Sequence, residues 1–391
     1  MLRINQGPSL LILVILVIVL FVSIGEIIFQ SIGSSPSLPG LAQKEDEREK
    51  ERQEFLNKIE EKIRLSQSTG DLERVSQLRE LREKIKNYEV FIGENFLVFI
   101  KPPKTKEEMR QKKALVEDTL FLAEVGLIDC LDDLRCSSKP TSKIAIVILD
   151  NQKDFNRIIG AEKPSAFRSD VDAIVLTLGG VTISNLAHEI AHFGWHQKAR
   201  ELGVEVSHYG LEEGFAVSRE EDRNKRERIL NSLLIHNLYR LERVDSDFSK
   251  FVLRSNNPPF NYPIGHFYSQ AGSLIMFLLD QGITEEEIIL LAKELMGIKT
   301  DSDRESILRN FFKKHGLDYQ KLEEQWIKWE QRQSNLMRKR SSTQQEINEF
   351  RKKILEGLAK EREAARKAGR LKQLEPLFKE REKALDQIAP R

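Results

Sequence analysis

Two histidines and a glutamate lie close together in the stretch LAHEIAHFGWH, which runs from Leu186 to His196. In an α-helix, His188 and His192 project from the same face, so both imidazoles can bind one metal ion. Glu189 follows the first histidine and is rotated away from the metal, where its carboxylate can accept a proton from water. This spacing is the HExxH pattern of metal-dependent hydrolysis, and it predicts a catalytic metal site.

A catalytic zinc ion needs three protein ligands and an open position for water. The segment LEEGFAVSREED, which begins at Leu211, offers carboxylates downstream of the motif. We predict Glu213 as the third ligand, because it begins a helical run that can return past the histidine pair. Glu212 and His208 are the alternatives, although a helix would turn Glu212 away from the site. Two histidines and one glutamate suit zinc best, so we expect one zinc ion per chain.

The elements around the motif predict an α+β fold. Short β-branched runs bounded by turn residues indicate strands, and they lie at Asn95 to Lys101, Ser142 to Asp150, and Asp172 to Leu178. An amphipathic helix is expected between the first two strands. Helical spacing begins at Ser184 and continues, through several helices, to about Trp329. Strands followed by helices around one core are typical of α+β proteins.

The helix that carries the motif has one apolar face and one polar face. The apolar face is expected to pack on the core, and it comprises Ile183, Leu186, Ile190 and Phe193. Ser184 or Asn185 is predicted to cap the start of the helix, because both are residue types that accept a hydrogen bond from the first turn.

The N-terminal segment is apolar enough to cross a membrane. Leu10 to Phe29 contains almost only apolar residues, and about twenty such residues span a bilayer as a helix. Arg3 precedes this run and no basic residue follows until Lys44, which places the N-terminus in the cytoplasm. We therefore expect residues 1–30 to anchor a single-pass membrane protein whose catalytic domain is extracytoplasmic. A cleaved signal peptide is the alternative.

Charged segments flank the expected catalytic domain. Residues 31–42 are rich in Ser, Pro and Gly and predict a flexible linker. Residues 43–90 contain two apolar stripes at helical spacing with a turn at Ser68 to Gly70, which predicts a charged helical hairpin. Residues 331–391 are expected to form a charged helical tail. Such helices are typical of solvated helices or short coiled coils, and they could contact a protein partner.

Composition excludes several classes of protein. The 391 residues carry a net charge of +1, and acidic and basic residues alternate in the charged segments, so no nucleic-acid partner is expected. Cys130 and Cys136 are the only cysteines, which excludes a cysteine-rich zinc module or a disulfide scaffold. These two cysteines could form one disulfide or remain free thiols.

The sequence HEIAH followed by EGFA resembles the gluzincin metallopeptidases, particularly the peptidase MA group with an aminopeptidase-like catalytic domain. The resemblance covers about Glu94 to Trp329, so residues 93–330 are predicted to form a zinc metallopeptidase-like domain. It implies that His188, His192 and Glu213 bind zinc and that Glu189 is the general base.

Two further segments extend the resemblance. The sequence FYSQAGSLIMFLLDQG is similar to a family segment in which a tyrosine precedes a helix of small residues, which implies that Tyr268 stabilises the oxyanion of the tetrahedral intermediate. Tyr262 and His266 are nearby alternatives for that role. The strand from Asp172 to Leu178 precedes the motif at the position of the family's substrate-lining edge strand.

Other metallopeptidase classes fit less well. Lys198 stands where a metzincin would have its third histidine, and the motif is far from the apolar run, unlike the motif of an intramembrane protease. No Gly-Ala-Met-Glu-Asn-like exopeptidase signature precedes the motif, which leaves endopeptidase action open.

The sequence thus predicts a membrane-anchored zinc metallopeptidase that hydrolyses a peptide or protein substrate, using a water molecule that zinc activates and Glu189 as general base. The alternative is a non-catalytic, zinc-stabilised scaffold of gluzincin fold that works through its charged helical ends. Glu189 argues against this alternative, because a structural zinc site needs no general base.

Overall fold

A five-stranded mixed sheet lies at the centre of the protein. The computed structural model describes residues 45–161, 163–206, 208–241, 252–253, 264–298, 300–340 and 344–367, with single residues between 375 and 386. The strands, in chain order, are β1 Glu89–Ile92, β2 Phe96–Ile100, β3 Ile144–Leu149, β4 Ser165–Arg168 and β5 Ala173–Thr177. Their order across the sheet is β1-β2-β3-β5-β4. The three central strands are parallel, and the two edge strands β1 and β4 are antiparallel to their neighbours.

Helices cover both faces of the sheet and continue beyond it. Their bounds are α1 Glu45–Ser68, α2 Leu72–Ile85, α3 Lys106–Asp133, α4 Gln152–Ile159, α5 Ile183–Glu201, α6 Tyr209–Ser218, α7 Asp222–Leu241, α8 Ile264–Asp280, α9 Glu285–Leu295, α10 Asp301–Lys314, α11 Leu322–Arg340 and α12 Gln344–Lys367. Short 3₁₀ turns lie at Leu178–Gly180 and Tyr319–Lys321. The mixed α+β class predicted from the sequence is confirmed.

The side chains of each central strand alternate between two separate cores, because successive residues of a strand point to opposite faces. Val98 and Ile146 face α3, α5 and the later helices. Phe99 and Val147 face the hairpin of α1 and α2 and the short helix α4. The sheet is therefore the middle layer of three, and both of its faces are buried.

Helices α1 and α2 form a charged hairpin over residues 45–85, and this hairpin is the outer layer on one face. A hairpin was predicted for residues 43–90, but β1 begins at Glu89. The apolar stripes of the hairpin are buried under the sheet, and they include Phe55, Leu56, Ile59, Ile63, Val75, Leu78 and Leu81. Gly70 makes the turn between the helices at φ +75°, a conformation that glycine adopts without strain. The hairpin thus packs on the sheet along its apolar stripes and is not a fully solvated helix pair.

All three predicted strands are present, but the sequence did not identify β1 and β4. The strand predicted from Asp172 to Leu178 was expected to be the substrate-lining edge. This expectation is wrong, because that segment is β5 and β4 pairs with its outer side. β4 has only four residues and no alternating apolar pattern, so it leaves little signal in the sequence.

The helices after the motif pack closely on one another. A Cβ atom added at Gly214 of α6 would lie 2.6 Å from the Ala271 carbonyl oxygen in α8. Small residues at this crossing therefore let α6 and α8 approach backbone to backbone. Cys130 and Cys136 are free thiols, and Cys130 is buried.

The predicted anchor at residues 1–30 and the predicted linker at residues 31–42 lie outside the described residues. Among the helices that the structure does describe, none has both the length and the apolar character needed to cross a bilayer.

Candidate metal centre

The motif helix α5 begins one turn after β5. Its cap is Thr182, whose hydroxyl accepts a hydrogen bond from the Asn185 amide at 3.1 Å. The expectation of Ser184 or Asn185 as cap is therefore wrong: the helix starts slightly earlier, and Ser184 Oγ instead accepts a hydrogen bond from the Asn224 side chain at 2.5 Å. The predicted apolar face is buried at Leu186, Ile190 and Phe193, and it is exposed at Ile183.

Helix α6 carries the predicted third ligand, and His208 fixes where the helix begins. His208 Nδ1 accepts a hydrogen bond from the Leu211 amide at 3.3 Å, and His208 Nε2 lies 3.0 Å from the Leu253 carbonyl oxygen. Because backbone groups engage both ring nitrogens, His208 is not available as a metal ligand. Its side chain instead caps the helix that positions Glu213.

Three ligand atoms converge between α5 and α6. Glu213 Oε2 lies 3.3 Å from His188 Nε2 and 3.5 Å from His192 Nε2. One ligand atom from each of these three residues lies within 4.8 Å of the others, the only such grouping found among the described residues. Glu213 Oε2 is buried and accepts no well-aligned hydrogen bond. Two imidazole nitrogens and an orphaned carboxylate oxygen are a donor set that fits zinc.

The opposite sides of both imidazole rings face carboxylates. His188 Nδ1 lies 3.2 Å from Glu220 Oε1, and His192 Nδ1 lies 2.9 Å from Glu212 Oε1. A ring N–H that donates to a carboxylate leaves the other nitrogen unprotonated and aimed at a metal. Glu212 therefore orients His192 and lies outside the ligand cluster. Glu220 was not identified from the sequence.

Without a metal, these carboxylates favour protonated imidazoles. Burial alone would lower the pKa of His188, but Glu213 and Glu220 raise it to about 9. Burial also opposes the charge on His192, yet Glu213 and Glu212 hold its pKa well above the usual value. Conversely, the two imidazoles lower the pKa of the Glu213 carboxyl group, against the effect of burial. A divalent cation would replace these protons and satisfy the same acidic surroundings.

Glu189 is buried beside the ligand set without joining it. Its side chain is 3 % exposed, and its charge helps to raise the pKa of His188. Within the described residues, no hydrogen bond to the Glu189 carboxylate is found. The carboxylate is therefore free to accept a proton from a water molecule next to the ligands.

Tyr268 reaches the site from α8. Its ring lies edge-on to His188, with 6.2 Å between ring centroids, and its hydroxyl is 3.0 Å from the hydroxyl of Tyr209. Burial raises the pKa of Tyr268, and the Glu213 charge raises it further, so the hydroxyl keeps its proton and can donate a hydrogen bond. Tyr209, the partner of Tyr268 in this hydroxyl pair, was not identified from the sequence. Tyr262, an alternative for the role of Tyr268, lies outside the described residues.

The edge strand β4 borders the ligand cluster. The Phe167 ring is parallel to the His192 ring, with centroids 6.4 Å apart, and it also contacts the rings of Phe193 and His196. His196 Nε2 lies 3.1 Å from Glu212 Oε1, so His196 shares the carboxylate that orients His192. His196 is not one of the three residues that could hold the metal ion.

The backbone N–H and C=O groups of Phe167 lie on the outer edge of the sheet. Thr177 donates an amide hydrogen bond to the Pro164 carbonyl, and Ala166 pairs with Val175 in the register of β4 and β5. Since hydrogen-bonded pairs alternate along an antiparallel ladder, the N–H and C=O groups of Phe167 face away from β5. No strand in the described part of the chain pairs with this outer side of β4, so the edge beside His192 can accept another extended chain.

Comparisons with protein-family models, curated protein sequences and solved structures found no significant match to this chain. The geometry of the site is therefore the basis on which its function must be argued.

Proposed function

We propose that the protein is a zinc-dependent peptidase of gluzincin type. The observation that carries this proposal is the convergence of His188 Nε2 and His192 Nε2 on Glu213 Oε2, beside a buried Glu189 whose carboxylate is free. A purely structural zinc site would need neither a free neighbouring carboxylate nor an accessible strand edge. Both features support hydrolysis.

Each residue of the site has a separate role in the proposed peptide hydrolysis. His188, His192 and Glu213 would hold zinc, which when bound supplies a Lewis acid for the scissile carbonyl and for water. Glu189 accepts the proton of the attacking water and passes it to the leaving amine. Tyr268 donates a hydrogen bond to the oxyanion that develops on the carbonyl oxygen.

The free edge of β4 gives the substrate a place to bind. An extended peptide that pairs with Phe167 would gain main-chain hydrogen bonds and run past the ligand cluster. We also propose that the apolar N-terminal segment, Leu10 to Phe29, anchors the protein in a membrane, with the peptidase domain on the extracytoplasmic side.

Replacing Glu189 by Gln tests the proposed chemistry. Gln keeps the size of the side chain but cannot accept the proton, so we expect zinc content to stay as in wild type while cleavage of a quenched fluorescent peptide library falls at least about 100-fold. Zinc content is measured by mass spectrometry on the same samples. Absence of cleavage by the zinc-loaded wild type would favour the zinc-stabilised scaffold instead.

A further inference from the structure

An open hollow of about 390 Å³ lies on the far side of β4 from the metal ligands, between that strand and helix α2. Side chains alternate along a strand. Phe167 therefore faces the motif helix, whereas Arg168 points into the hollow. Phe167 itself also lines the hollow, so the hollow adjoins the strand edge along which a peptide would bind.

Two arginines surround one aspartate in the wall of the hollow. Arg168 binds Asp170 through two nitrogens, at 3.1 Å and 2.6 Å, and Arg74 Nε lies 3.1 Å from the same carboxylate. The Asp170 side chain is 5 % exposed. One buried carboxylate is thus shared by two guanidinium groups, and this group of three has a net charge of +1.

Lys163 adds a further positive charge to the lining. It is half-buried, and through its Nζ it forms neither an ion pair nor a hydrogen bond with any residue that the structure describes. A long charged side chain that lines a hollow without a partner can bind an anion at little cost, because no existing ion pair must be broken.

The two other acidic residues of the lining are at its rim. Asp71 and Glu73 are exposed; Asp71 accepts the Arg74 amide as the cap of α2, and Glu73 accepts a hydrogen bond from the Gln77 side chain. The lining thus holds three basic and three acidic side chains. Lys163, whose Nζ has no partner among the described residues, is the charged group that a peptide carboxylate can bind without breaking an existing interaction.

We propose that the hollow is a substrate subsite that selects an acidic side chain, Asp or Glu, of a peptide bound along β4. The inference rests on the proposed peptidase function. Directly opposed residues in paired strands point to the same face, so the peptide residue opposite Phe167 faces the metal ligands. The peptide residue opposite Arg168 then faces the hollow, where Lys163 and the free nitrogens of Arg74 can bind its carboxylate.

The test uses full-length protein and a peptide library with randomised positions, with cleavage sites read by mass spectrometry. Wild type should cleave peptides with Glu or Asp at one fixed position from the cleaved bond about tenfold faster than matched Gln peptides. Lys163→Glu should remove this preference and favour Lys at that position. Lys153→Glu is the matched control, because Lys153 is exposed on α4 and does not line the hollow.

A binding measurement separates the subsite from catalysis. The Glu189→Gln variant is titrated with fluorescent Glu and Gln peptides of otherwise identical sequence, with and without Lys163→Gln. About tenfold tighter binding of the Glu peptide that depends on Lys163 supports the subsite. Cleavage without a charge preference, or a preference unchanged in both Lys163 variants, overturns the subsite alone. Failure of the wild type to bind or cleave any peptide overturns the peptidase proposal with it.

Discussion

Glu220 Oε1 lies 3.2 Å from His188 Nδ1, on the side of the imidazole ring opposite the candidate metal position. Glu220 is itself buried and lies 3.3 Å from a guanidinium nitrogen of Arg228. Arg228 donates hydrogen bonds to this carboxylate, and its positive charge offsets the cost of burying the carboxylate. The contact between Glu220 and His188 is not aligned as a hydrogen bond, but Glu220 lies where its carboxylate can orient His188, a candidate metal ligand.

Replacing Glu220 by Ala should weaken zinc binding without removing a ligand. Loss of such an orienting carboxylate lowers metal affinity by about 10- to 100-fold. Glu220→Gln, which keeps an acceptor, should lose less. Zinc affinity is measured by competition with a chromophoric chelator, and Glu221→Ala is the control because Glu221 is an exposed neighbour. Equal affinities for Glu220→Ala and Glu221→Ala would show that Glu220 has no such role.

The Tyr268 hydroxyl should matter for turnover and not for metal binding. Tyr268→Phe removes the proposed hydrogen bond to the oxyanion, and we expect kcat to fall about 100-fold with KM and zinc content nearly unchanged. Tyr209→Phe removes the hydroxyl that lies 3.0 Å from that of Tyr268 and should have a smaller effect. Steady-state kinetics on one peptide substrate decides between them. A larger loss in Tyr209→Phe would assign the role to Tyr209.

The close crossing of α6 and α8 should be essential for stability. In Gly214→Ala, the new Cβ atom would lie 2.6 Å from a backbone oxygen in α8, which cannot rotate away. We expect a loss of about 1–3 kcal/mol in the free energy of unfolding and a lower Tm by calorimetry. Gly357→Ala is the control, because nothing lies within 4 Å of its Cβ position; a helix interior gains up to about 1 kcal/mol from this change. An unchanged Tm in Gly214→Ala would contradict the observed packing.

His208 should make stability depend on pH. Burial lowers the pKa of His208 below its usual value of 6.5, so near that pH the unfolded chain binds a proton that the folded chain does not. The stabilising contribution is fully present above about pH 6.5 and is lost as the pH falls from there toward the folded pKa. His208→Asn keeps a cap acceptor and should flatten this decrease in urea unfolding measured between pH 7 and pH 5. Parallel pH profiles for the two proteins would refute the assignment.

The candidate metal ligands could be predicted to lie together because their arrangement is local. The four-residue spacing of His188 and His192 places both on one face of any helix. Glu213 lies near the start of the next helix, which can bring it close to that face. Glu220 and Tyr209 carry no such signal. Their positions depend on how α6 lies across α5, which is set by packing between helices and not by the pattern of either helix.

The sheet shows a similar limit. β2, β3 and β5 are buried on both faces, so their sequences are continuous apolar runs and reveal strands. β4 is a short edge strand with the sequence SAFR, and an edge needs fewer apolar residues. The apolar stripes of the hairpin predicted two helices, but a stripe alone does not tell which surface will cover it.

The metal content of the full-length protein tests the central claim most directly. Wild type and the His188→Ala, His192→Ala double variant are incubated with zinc, dialysed, and analysed by mass spectrometry beside a His196→Ala variant. We expect about one zinc ion per chain in wild type and in His196→Ala, and none in the double variant. Equal zinc in wild type and double variant, or none in either, would contradict a metal centre at His188, His192 and Glu213.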